Sequence, residues 1–157
     1  MDVQRQFEIL LVEDNEADAR LIIHAFKTAS VPNRVSHVTD GEKALAFLHR
    51  GVEYADAPQP DLILLDLNLP KVSGLEVLKA AKSHDKLKRI PVIVLTASAI
   101  EEDIHRSYDL QANSYISKPD DLAGFAELIH GIESYWLQHS SLPRGEGRSD
   151  ESTSGGA

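Results

Sequence analysis

The sequence predicts an α/β domain of (βα)5 type, a doubly wound, five-stranded parallel sheet with strand order 2-1-3-4-5. Three observations predict it. Short apolar runs alternate with segments of helical period along the chain, and strict strand–helix alternation builds a parallel sheet because its crossovers are right-handed. Three of the runs, Ile9-Leu10-Leu11-Val12, Leu62 to Leu65 and Val92 to Leu95, are continuously apolar, the pattern of central strands covered on both faces. Four runs stop at polar groups, at Glu13-Asp14, Asp66, Thr96 and Lys118-Pro119, and open α/β sheets gather their chemistry at that rim.

The elements follow in order. A first strand at 7–12 leads to a helix from Asn15 to Thr28, with Ala17, Leu21 and Ala25 on its inward stripe, ending before the turn Val31-Pro32-Asn33. The second strand, 34–38, is weaker and more polar, which suits a sheet edge. The next helix starts near Asp40, where Thr39 and Glu42 have capping-box spacing. A long polar connection, 49–60, precedes the third strand at 62–66, and Ser73 with Glu76 opens the third helix by the same device. After a fourth strand at 92–96, Ser98 with Glu101 opens the fourth helix. The fifth strand, 114–117, runs into a last helix over 120–137 that carries Leu122, Phe125, Leu128, Ile129, Ile132 and Trp136 on one face. The domain is therefore expected over 7–139, between an N-terminal arm at 1–6 and a disordered C-terminal tail at 140–157 rich in Gly, Ser, Glu and Asp.

Composition narrows the function. At 157 residues the chain can bury a full core without staples. It contains no cysteine, which removes disulfides and thiolate metal sites and favours a reducing compartment. No signal-like or membrane-length apolar segment stands out, so the expected location is cytoplasmic and no membrane partner is expected. A net charge of -9 opposes contact with a phosphate backbone, so no nucleic acid partner is expected either.

If the first and third strands are neighbours, Glu13, Asp14 and Asp66 meet at one rim. Like charges so close raise one another's pKa and oppose folding unless something neutralises them. Hard oxygen donors, with no cysteine and no clustered histidine, select magnesium or calcium over zinc, and a site of few carboxylates plus waters fits magnesium better. Lys118 adds a fixed positive charge. A carboxylate beside a divalent cation and a lysine, with the Thr96 hydroxyl on a third strand, describes a phosphoryl-transfer site. The carboxylate can serve as nucleophile and become an acyl phosphate.

Four motifs occur in order: L-L-V-E-D-N at 10–15, D-L-I-L-L-D-L-N-L-P at 61–70 with Gly74, V-I-V-L-T-A-S at 92–98 and Y-I-S-K-P at 115–119. Together they resemble the CheY-like receiver domain of two-component response regulators, a flavodoxin-like fold. The resemblance implies that Asp66 is the phosphoacceptor for a sensor histidine kinase. It also implies a Mg2+ ion, with Mn2+ as substitute, held by Asp14, Asp66 and the Asn68 backbone carbonyl, with Glu13 acting through an outer-shell water. Thr96 and Lys118 would contact the phosphoryl group, and Tyr115 would be the aromatic switch. Pro119 would be a cis-proline aiming Lys118, and Pro70, Gly74, Ala97 and Ser98 would support the surrounding loops.

More narrowly, the run from Phe47 to Lys71 and the Tyr135-Trp136 ending resemble the small stand-alone regulators that pair with bacterial and cyanobacterial phytochromes. That implies a phytochrome-type kinase, phosphorelay signal transduction without a DNA-binding output domain, and an unknown downstream protein. It also implies a homodimer through the fourth helix, fifth strand and fifth helix, where Ile100, Ile104, Tyr108, Tyr135 and Trp136 offer apolar surface.

Each residue also has a plainer reading. Glu13-Asp14 alone complements a helix dipole, Lys118-Pro119 alone is a strand end, Thr96 alone is a cap, and Tyr115 alone is a half-buried strand aromatic. The seven histidines show no ligand spacing and receive no role. Among rival functions, a haloacid-dehalogenase-like aspartyl-phosphate hydrolase needs a second Asp two residues after the nucleophile, where this chain has Asn68. A flavodoxin-type nucleotide binder wants a Ser/Thr/Gly-rich loop after the first strand, where Glu13-Asp14-Asn15-Glu16 stands. A phosphorylation-independent docking receiver lacks a motive, because every required side chain is present. The expected protein is a switch that assists its own phosphorylation and dephosphorylation, and is no turnover enzyme.

Overall fold

The computed structural model describes residues 6–97 and 100–139. Most of the expected arm, Ser98 and the expected tail lie outside the described residues. Five strands, β1 (Phe7–Val12), β2 (Asn33–Val38), β3 (Leu62–Leu65), β4 (Val92–Thr96) and β5 (Ser114–Ser117), alternate with α1 (Glu16–Lys27), α2 (Gly41–Leu48), α3 (Gly74–Ser83), α4 (Glu101–Asp109) and α5 (Leu122–Ile132). All pairings are parallel and the order is β2-β1-β3-β4-β5, as the alternation predicts.

The continuously apolar strands feed two cores by alternation. Leu10, Val12, Ile63, Leu65, Val92 and Val94 face one side, where α2 and α3 contribute Ala44, Phe47, Leu48, Val77, Leu78 and Ala81. Ile9, Leu11, Leu62, Leu64, Ile93 and Leu95 face the other, against Ala19, Ile22 and Phe26 of α1 and Phe125, Ile129 and Ile132 of α5. Each of the larger aliphatic and aromatic side chains among them contributes roughly 1.5–3 kcal/mol of burial. The scaffold beneath the rim is therefore stiff.

Helix starts divide into those the sequence places and those it misplaces. Asn15 caps α1 by accepting the Asp18 N–H, and Ser73 caps α3 by accepting the Glu76 N–H at 3.3 Å. For α2 the cap is Asp40, whose carboxylate takes the Lys43 N–H at 2.7 Å, in place of Thr39. A charged acceptor one residue nearer the helix wins the position. α4 begins after Ile100, whose side chain makes no capping bond; Ser98, the expected cap, lies outside the described residues. The last helix is capped by Asp121 and ends at Ile132, passing into a π-helical turn over Glu133–His139. That wider turn buries Leu137 and leaves Tyr135 61% exposed. The 49–60 connection holds one 3-10 turn, Val52–Tyr54, anchored by Tyr54 against Phe47 with ring centroids 5.3 Å apart.

Gly74 ties α3 to the end of β3. Its N–H donates to the Leu67 carbonyl at 3.0 Å. A Cβ there would lie 2.3 Å from the Asp66 carbonyl oxygen and 2.5 Å from the Leu67 Cα, and backbone atoms cannot step aside as a side chain can. Gly74→Ala should therefore lose about 1–3 kcal/mol in urea unfolding. An unchanged midpoint would contradict this close approach.

Candidate functional site at the rim of the sheet

Register assembles the site. Val12 pairs with Leu65, so the residues that follow them, Glu13 and Asp66, emerge side by side. The Asp66 N–H donates to the Val12 carbonyl and the Glu13 N–H to the Val38 carbonyl, both at 3.0 Å. Glu13 and Asp66 are buried, 1% and 4% exposed, whereas Asp14 is exposed. One carboxylate oxygen from each of Glu13, Asp14 and Asp66 falls within a mutual 4.8 Å. Thr96, fully buried, ends β4, and its carbonyl accepts the Lys118 N–H at 2.9 Å from the end of β5.

Lys118 crosses the rim to the carboxylates. Its Nζ lies 2.8 Å from Glu13 Oε1, 2.9 Å from Asp18 Oδ2 and 3.0 Å from Asp66 Oδ2. No peptide bond among the described residues is cis, so Pro119 does not aim Lys118 in the expected way. The Thr96 carbonyl and the three carboxylates hold it instead. The second Asp66 oxygen, Oδ1, accepts the Asn68 N–H at 3.2 Å, and the Pro70 carbonyl accepts the Gly41 N–H at 3.4 Å. Asn68, Pro70 and Ala97 are exposed on the loops around the cluster.

Two contributors are not evident from sequence. Asp18 looks like a helix-dipole residue of the first turn of α1, yet its carboxylate reaches Lys118. Its spacing after Glu13-Asp14 was the available signal. His37 of β2 holds Glu13 from behind: its Nε2 donates to the Glu13 carbonyl at 2.8 Å and so carries a proton. No spacing rule marks such a contact.

The electrostatics follow from burial and neighbours. Burial pushes the Glu13 carboxyl from its ordinary 4.5 to about 7, with Asp66 adding to the rise, while Lys118 and the Asn15 N–H act in the opposite direction. For Lys118 burial opposes the charge, but the bonds from Glu13, Asp18 and Asp66 outweigh it and hold the ammonium well above its usual range. Glu13, Asp14, Asp18 and Asp66 together still exceed the one ammonium in charge. A set of close carboxylate oxygens, without sulfur or imidazole and open to water at Asp14, fits a hard divalent cation such as Mg2+ or Mn2+.

The remaining candidates lie away from this cluster. Tyr115 is half-buried in β5 opposite Val94. Ile100 and Tyr108 are 62% and 50% exposed, and Ile104 is half-buried. Tyr135 and Trp136 pack edge to face at 5.1 Å, beside a groove of about 770 Å³ that Ile116 and Leu128 also line.

Comparison with known proteins agrees with the geometry. Residues 9–130 match the response regulator receiver domain family. Response regulator Rcp1 of Synechocystis sp. is 47% identical over 135 residues, covering 86% of this chain and 92% of that one. Its Mn(2+)-bound crystal structure superposes with a TM-score of 0.84, over 87% of this chain and 99% of that chain. The phosphorylated cyanobacterial phytochrome response regulator RcpA is 51% identical, with a TM-score of 0.86 over 88% and 99% of the two chains. The bacteriophytochrome response regulator AtBRR is 39% identical, with a TM-score of 0.69 over 87% and 99%.

Glu13 gives the metal-free protein a pH signature. Its folded pKa, about 7, lies above the ordinary 4.5, so its contribution to stability is present below the lower value and lost as pH rises through the upper one. In chelator, Glu13→Gln should therefore stabilise the protein increasingly from about pH 5 to about pH 8, by at most about 3 kcal/mol. Urea titrations at the two ends test this, and a gain independent of pH would remove the assignment.

Proposed function

The chain belongs to the response regulator receiver domain family, and from that premise we propose that Asp66 is its phosphoacceptor. The observation that carries the proposal is the Lys118 ammonium placed 3.0 Å from Asp66 Oδ2, inside a cluster of buried carboxylates. Receiver domains accept phosphoryl groups from histidine kinases. Here an Asp66 oxygen attacks the phosphorus of a phosphohistidine, the phosphorus–nitrogen bond breaks, and the imidazole leaves with a proton from solvent.

Asp14, Asp66 and the Asn68 carbonyl would hold Mg2+ or Mn2+, with Glu13 acting through water, and the cation would offset charge on the transferring oxygens. Lys118 orients Asp66 before transfer and meets a phosphoryl oxygen after it. The Thr96 hydroxyl gains a partner that exists only in the product. Tyr115, on the neighbouring strand, then turns inward into the space that this movement opens.

The finer reading is a phytochrome-type kinase as phosphodonor, supported by the similarity to Rcp1 and RcpA. We read one receiver over 7–139, flanked by an arm and a tail, acting as a switch in the cytoplasm. No helix among the described residues is long and apolar enough to cross a membrane. Homodimerisation through α4, β5 and α5 is supported by the exposed Ile100, Tyr108 and Tyr135. The haloacid-dehalogenase reading is set aside, because the family match is to receivers and Asn68 offers no carboxyl to act as acid. A docking-only role is disfavoured because Lys118, Asp66 and Glu13 are already in contact.

Incubation with Mg2+ and a small phosphodonor should add one base-labile phosphoryl group to the intact mass. Asp66→Asn should gain none; an undiminished gain in that variant would overturn the assignment. Asp14→Ala should lose the metal dependence. Glu13→Gln should weaken metal affinity by about 10–100-fold, the usual effect of losing an outer-shell partner. Thr96→Ala should still accept the phosphoryl group but respond with a smaller change in α4 amide exchange, and a full response would dismiss its switch role.

A further inference from the structure

α4 is seated differently from the other helices. α1, α2, α3 and α5 each bury three or four side chains, whereas α4 buries only Ser107. The Ser107 side chain is fully enclosed, and its Oγ has no hydrogen-bond partner among the described residues. An enclosed hydroxyl without a partner opposes docking. Among the described residues the helix start has no side-chain cap, Ile100 and Tyr108 are 62% and 50% exposed, and Ile104 is only half-buried. Apolar burial therefore contributes little to holding α4.

A specific polar contact does hold it. The Tyr108 hydroxyl accepts the backbone N–H of Tyr115 at 3.1 Å. Tyr115 lies on β5, the edge strand, and its inner neighbour is Val94 of β4. The phenol therefore spans from a helix surface to the open edge of the sheet, where unpaired backbone groups otherwise face water.

We infer that Tyr108 is a positioning residue whose hydroxyl latches α4 to the β5 edge in the unphosphorylated protein. Ser107 keeps the seat shallow, so release of this bond frees the helix. The trigger rests on the phosphoacceptor reading: the residue whose ring responds to Thr96 also supplies the N–H that holds α4. The latch itself stands on the resting geometry alone.

Hydrogen exchange and phosphoryl gain from a small donor, both measured on the full chain with Mg2+, test the latch. Tyr108→Phe removes only the hydroxyl. It should raise amide exchange across 101–109 about fivefold while leaving α1 to α3 unchanged. It should also speed phosphoryl gain about two- to fivefold, because the resting arrangement is less favoured. Ser107→Ala should move both readings the opposite way. Unchanged α4 exchange in Tyr108→Phe, or slower phosphoryl gain, would overturn the inference, and so would faster α4 exchange in Ser107→Ala. If the unaltered protein gains no phosphoryl group, the phosphoacceptor reading fails, while the exchange comparison still decides the latch.

Discussion

The Lys118 ammonium bonds Glu13, Asp18 and Asp66 at once, at 2.8 to 3.0 Å. Three carboxylates crowded at one rim repel, and two of them are nearly inaccessible to water. Without a cation among them their repulsion would act to spread the loops apart. Lys118 satisfies only part of this demand, which is why burial still raises the Glu13 carboxyl to about 7. The residual negative charge is what makes the rim a cation site, and the unsatisfied electrostatics of the resting fold are directed at the group the site receives. The arrangement holds because each carboxylate is delivered by a different rigid element.

That rigidity comes from the sheet. The same alternation that sends Leu10, Ile63 and Val92 to one core and Leu11, Leu64 and Ile93 to the other fixes the register in which Val12, Leu65 and Val94 line up. A slip of one residue would exchange the two faces and remove Asp66 from Glu13. Gly74 and Gly41 extend the constraint into the loops. Both lie where a Cβ would strike backbone, at the Asp66 carbonyl and at the Val72 carbonyl respectively. The loop carrying Asp66, Asn68 and Pro70 is therefore clamped between the starts of α2 and α3, and the Asp66 backbone is held in place in the resting fold.

The sequence makes the strands, their order and the main carboxylates legible because these depend on local signals: apolar runs, abrupt polar ends and motif spacing. Asp66, Glu13 and Lys118 come together as the strand ends require. Side chains that act across the fold were not legible. Asp18 has the pattern of an ordinary first-turn acid, and His37 acts through a backbone carbonyl, which no residue type advertises. Asp40 displaced Thr39 as a cap because a carboxylate is the stronger acceptor. The aim of Lys118 was assigned to a cis-proline, whereas the Thr96 carbonyl and the carboxylates set it. The π-helical ending of α5 was hidden because Trp136 and Leu137 fit an ordinary helical stripe nearly as well.

Stability is distributed unevenly in a way that suits a switch. α1, α2, α3 and α5 are fixed by interdigitated aliphatic and aromatic side chains, so small forces at the rim cannot move them. α4 is held by a tyrosine hydroxyl, a contact whose net worth is on the order of 1 kcal/mol, while the enclosed Ser107 hydroxyl works against its seat. Forming one charge-assisted bond to a new phosphoryl group is worth about 1.5–3 kcal/mol. That is too little to repack a core, but it matches the hold on α4. A rim event can therefore act selectively on the one helix whose seat is polar, and Tyr115, which faces the Thr96 strand on one side and Tyr108 on the other, is where the two scales meet.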